Sequence, residues 1–78
     1  MDKNLTVYPI PAGDELHIFS SEKILEIKIS NMQGTVVYDR ITTASRNVVD
    51  IKHLPADTYI VEAAYENNKK ERSIFVKM

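Results

Sequence analysis

Two histidines, His17 and His53, and no cysteine make up the chain's stock of the nitrogen and thiolate ligands that zinc takes. A zinc site gathers three or four converging ligands. Here His17 alternates outward from a half-apolar run and His53 sits in a turn, so both read as solvated surface residues. Asp14 and Glu15 are adjacent, and successive side chains of an extended segment point to opposite faces. Acid–base catalysis needs two carboxylates converging on one pocket, so turn formation and solubility fit this pair better. Ser20-Ser21 has neither a Gly-x-Ser-x-Gly turn around it nor a base beside it, which argues against nucleophilic catalysis. Tyr8, Tyr38, Tyr59 and Tyr65 would suit a sugar platform, but Tyr59 and Tyr65 share the parity of Val61 and Ala63 and read as core. Lys69-Lys70-x-Arg72 reads as a solvated hairpin tip, or more sharply as a basic patch that steers an acidic receptor. No cofactor motif, metal set or catalytic constellation is formed, and function has to be sought in the elements that carry these residues.

Length and composition narrow those elements. A chain of 78 residues builds a single domain with little room for a deep pocket. With 44% hydrophobic and 27% charged residues it is neither disordered nor a membrane span. Ten basic against eleven acidic residues leave a formal charge of −1, without the basic footprint of a nucleic-acid binder. The opening Met1-Asp2-Lys3-Asn4 does not start a signal peptide, as expected of a domain excised from a longer exported protein. Lacking cysteine, the chain has no disulfides, which does not exclude export.

Alternation of apolar and polar residues dominates the chain. Leu5-Thr6-Val7-Tyr8 is a short strand stopped by Pro9-Ile10-Pro11, whose prolines suit a sheet edge. Pro11-Ala12-Gly13-Asp14 reads as a turn, followed by a strand over Glu15 to Ser20 with Leu16 and Ile18 inward. A polar turn is expected at Ser20-Ser21-Glu22-Lys23. The clearest period of two follows, with Leu25, Ile27 and Ile29 inward against Glu26, Lys28 and Ser30. Asn31-Met32-Gln33-Gly34 supplies a hairpin turn with Gly34 in the left-handed position, and Thr35 to Arg40 returns. Ile41 to Arg46 reads as a loop and Asn47 to Ile51 as a further strand. After Leu54-Pro55-Ala56-Asp57 comes a central strand with Tyr59, Val61, Ala63 and Tyr65 on one face. An Asn-rich turn at Glu66 to Lys69 leads to a last strand, Lys70 to Met78, with Ile74 and Val76 on one face. About seven short strands with regular turn signals predict an all-β, immunoglobulin-like antiparallel sandwich.

Four motifs in order, Val7-Tyr8-Pro9-Ile10-Pro11, Asp14-x-Leu16-x-Ile18, Ile27-x-Ile29-x-Asn31-x-x-Gly34-x-Val36-Val37 and Val49-Asp50-Ile51-x-x-Leu54-Pro55-Ala56-x-x-Tyr59-x-Val61, run across nearly the whole chain. This series resembles the C-terminal sorting domain of proteins exported by the type IX (Por) secretion system. Ile10 stands where that family usually has Asn, and Asp57 where it usually has Gly. Asp tolerates positive φ better than most residues, so a left-handed turn at position 57 remains feasible at a strain of about 1 kcal/mol.

The resemblance implies a non-catalytic C-terminal domain, residues 1–78, that directs a cargo in cis. The cargo passes through the periplasm and across the outer membrane of a Gram-negative bacterium to the cell surface or medium. The partners implied are the outer-membrane secretion machinery and a sortase complex that cleaves the domain off, with no cofactor, metal or nucleic acid. The expected sorting and recognition residues are Tyr8, Pro9, Pro11, Gly34, Leu54, Asp57, Tyr59, Val61, Lys69, Lys70 and Lys77. The final hairpin, Tyr59 to Lys77, is the expected docking surface, because a terminal edge strand leaves backbone groups open to another strand. That edge also suits a homodimer. The alternative reading is an immunoglobulin-like carbohydrate-binding or adhesion module retained on a secreted protein.

Overall fold

The computed structural model describes residues 5–78, the Asn67 side chain excepted; the opening Met1-Asp2-Lys3-Asn4 read above lies outside the described residues. Among the described residues five strands follow in order: β1 (Leu5–Tyr8), β2 (Glu15–Asn31), β3 (Val36–Asp50), β4 (Asp57–Ala64) and β5 (Lys70–Lys77), with a 3-10 turn at Glu66–Asn68 between the last two. All pairings between strands are antiparallel. β2 is the hub. Its first half pairs with β1 and with the end of β3, and its second half with the start of β3 and with β4, which in turn pairs with β5.

The expectation of seven short strands is corrected here to five, two of them long. Ser20 to Lys23 and Ile41 to Arg46 are not interruptions but the corner at which β2 and β3 pass together from one half of the folded-over sheet to the other. The register records this: Phe19 lies opposite Arg46 and Ile24 opposite Ala44, so four residues of β2 are taken up against Ser45 alone. Bulges of this kind bend a strand and raise its twist without ending it. Ser20, fully buried, accepts a 3.1 Å bond from the Glu22 amide through its Oγ, and the Asn47 side chain donates to the Ala44 carbonyl at 3.0 Å. These side chains hold the two polar stretches in place where a turn and a loop were expected.

The core lies between the two halves. Leu16, Ile18 and Val49 face Ile27, Ile29, Val61, Ala63 and Phe75, all fully buried, with Tyr59 and Tyr65 beside them. Two inward assignments differ from expectation. A second register shift between Ile24 and Glu26 turns Ile24 into the core and leaves Leu25 half-buried. In β5, Ile74 and Val76 do share a face, but it is the solvent face, at 55% and 39% exposure, while Phe75 enters the core. Pairing decides that parity: Phe75 is opposite Tyr59, which β4 commits to the interior, and the two rings stack at 5.4 Å.

The β2–β3 turn matches its sequence signal. Gly34 has φ +90, its amide reaches the Asn31 carbonyl at 3.0 Å, and Asn31 Oδ1 accepts from the Gln33 and Thr35 amides at 3.0 Å each.

Candidate functional site

The residues expected to mark a site divide into a buried set and a displayed set. Leu54 and Tyr59 are nearly buried and Val61 fully so. The Tyr59 hydroxyl donates a 2.6 Å bond to the Pro55 carbonyl four residues upstream, the arrangement known in immunoglobulin-like domains as a tyrosine corner. Burial, and then the charge of Asp57, pushes its pKa above the usual phenol value. The Leu-Pro-Ala-Asp-Thr-Tyr stretch is therefore a folding device, tying the loop before β4 to the first inward ring of that strand. Asp57 begins β4 in extended backbone, and its Oδ1 accepts from the Thr58 amide at 2.8 Å. Among the described residues only Asn68 and Gly34 have positive φ, so the strained left-handed turn considered for Asp57 does not arise.

At the start of the chain, Tyr8 and His17 stack at 5.0 Å with nearly parallel rings. His17 is thus half-buried under Tyr8 and not freely solvated. Pro9, with Gly13, Asp14, Glu15, Asp50 and Lys52, borders an open groove beside that stack. Pro11 is exposed, whereas Ala12 after it is buried and pairs in parallel with the end of β5. The Ala12 amide donates to the Val76 carbonyl at 2.7 Å, and the Met78 amide to the Ala12 carbonyl at 3.0 Å. Lys77, named among the expected recognition residues, is 8% exposed, with Nζ 3.4 Å from the Met78 carbonyl.

The displayed set surrounds the last hairpin. Lys69 Nζ pairs with Glu22 at 2.7 Å, which raises its pKa, and lies over the Tyr65 ring. The Tyr65 hydroxyl donates to Glu71 at 2.8 Å. Its pKa is pushed up to about 12, first by burial, with a Ser20 hydrogen bond lowering it and the Glu71 bond and the Glu71 and Glu22 charges raising it. Lys70 and Arg72 project outward on β5, Arg72 bonding Glu62 on β4 at 3.1 Å. The basic tip is therefore fastened to the β2 corner through Glu22, a contact that sequence reasoning missed because 47 residues separate Lys69 from Glu22. Among the described residues, Ala12 closes the outer edge of β5 only at its end.

Among the described residues, no three His, Asp or Glu side chains gather closely enough to hold a metal ion. The arrangement is that of a small immunoglobulin-like β-module whose outward features are a stacked aromatic pair, a basic hairpin and an incompletely covered edge. The comparisons with known proteins agree. The chain is similar to a DUF3244-family protein from Bacteroides vulgatus with an immunoglobulin-like β-sandwich fold, at 22% identity and a TM-score of 0.79 over 96% of this chain and 84% of that one. No curated protein matches the sequence. Residues 6–77 match the family described as the secretion system C-terminal sorting domain, and the chain belongs to that family, the sorting domains of type IX secretion. Such a domain serves export to the cell surface or the medium.

Proposed function

We propose that residues 1–78 act as one non-catalytic address domain, carried in cis behind a cargo. The outer-membrane machinery reads it in its folded form after periplasmic transit, and a sortase then removes it. The observation that carries this reading is the family match over residues 6–77, supported by the division of the motif residues. Leu54, Tyr59 and Val61 lie inside, so a partner meets them only as the shape they maintain. Tyr8, Pro9, Lys69, Lys70 and Arg72 lie outside. The docking surface is the exterior of the last hairpin, where positive charge near an open edge steers an acidic receptor.

Deleting the last strand cannot test this, because Phe75 is core. The informative experiment fuses the domain behind a secreted reporter and replaces Lys69, Lys70 and Arg72 together with Ser. Loss of export with an unchanged unfolding transition supports the docking surface; undiminished export overturns it. Mass spectrometry of the exported reporter tests removal. A chain ending upstream of Leu5 supports a sortase step, and a reporter that retains the domain overturns it in favour of a module kept on the mature protein.

A further inference from the structure

The outer face of the half-sheet formed by the start of β3, the second half of β2, β4 and β5 carries two cross-strand rows. In one, Asp39 is opposite Lys28, Lys28 opposite Glu62 and Glu62 opposite Arg72, a ladder of alternating sign running from edge to edge. In the next, Val36 is opposite Ser30, Ser30 opposite Ile60 and Ile60 opposite Ile74. Val36 is 49% and Ile74 55% exposed. Val76, also exposed, extends the apolar row on β5. Three apolar side chains flanking Ser30, set beside a row of charges, give this face the mixed character of a contact surface.

The order of signs names the partner. A row of four alternating charges is complementary to its own reverse. If a second copy is laid face to face with the two-fold axis along the strands, Asp39 meets Arg72 of the other copy and Lys28 meets Glu62, each twice. The same operation sets Val36 against Ile74 and Ile60 against Ser30. We propose that this face pairs with itself, so that two copies of the domain associate as an isologous dimer through the charge ladder and the apolar row. Such an interface is self-complementary by symmetry, and its like-charge alternatives are unfavourable. At about 4.8 Å per strand the ladder spans about 14 Å, so the contact belongs to the small end of specific interfaces and is reversible. The inference goes beyond the sorting role and does not rest on it.

Sedimentation equilibrium of the 78-residue chain from about 10 μM to about 1 mM covers the affinities expected of so small a contact. A monomer–dimer equilibrium is expected for the wild type. Asp39→Arg and Arg72→Asp each create two like-charge contacts in the homodimer, and each weakens association about tenfold or more. An equimolar mixture of the two variants restores all four opposite-sign contacts and associates as the wild type does. Ile74→Ser, at an exposed site that leaves the fold intact, also weakens association. Circular dichroism of each variant verifies folding. A wild type that stays monomeric throughout overturns the proposal. So does association that survives both reversals, which places the contact elsewhere, such as the open β5 edge, or a mixture that remains monomeric.

Discussion

Tyr59 shows how much of this domain rests on single buried polar atoms. Its hydroxyl is held at 2.6 Å by the Pro55 carbonyl and its ring by Phe75. Tyr59→Phe keeps the ring and removes the bond, and is expected to cost about 0.5–1.5 kcal/mol, read from the urea midpoint at unchanged m-value. Tyr65 makes a second prediction, in pH. Its folded pKa of about 12 lies above the ordinary phenol value of 10.0, so the unfolded chain loses the proton first. The stability this group contributes is complete below pH 10 and is lost as pH rises towards 12. Unfolding midpoints should fall across that window, and Tyr65→Phe should flatten the fall; the same dependence in both proteins would refute the assignment.

The hairpins and the corner set the element scale. Gly34 at φ +90 has open space around the position of a Cβ, so Gly34→Ala meets backbone strain alone, about 1–2 kcal/mol, measurable by thermal unfolding. The register shift between Ile24 and Glu26 makes a sharper test. Ile24→Ala is expected to cost about 2–5 kcal/mol and Leu25→Ala less, whereas an unbroken alternation would reverse that order. Here the limits of sequence reading become physical. Alternation is unambiguous where one face is polar, as in the second half of β2, and there the inward Ile27 and Ile29 were legible against Glu26, Lys28 and Ser30. Ile24-Leu25 and Ile74-Phe75-Val76 are apolar on both parities, so only the partner strand decides which side goes in. Ser20 to Lys23 has the composition of a turn, and nothing local reveals that β3 continues beside it. The family motifs were legible as a series, but their division into folding device and displayed surface needed burial to be seen.

At the scale of the whole molecule, β1 and β5 contribute to one core through Leu5, Val7 and Phe75, and so small a core leaves a narrow stability margin. Removing β5 withdraws Phe75 from Tyr59 and uncovers β4. A chain ending at Lys69 is therefore expected to lose cooperative unfolding altogether, seen as a broad, low-amplitude denaturant transition. Export defects from such truncations would report unfolding, and only substitutions on the exterior separate recognition from integrity.

The pairing of Ala12 with Val76 and Met78 has a mechanical meaning. The two segments it joins run in the same direction, so tension applied backwards through the leading segment and forwards through the trailing one slides them past each other. The hydrogen bonds then share the load instead of opening one after another like a zip. A pull that reaches both segments at once therefore meets this seam in its more resistant direction.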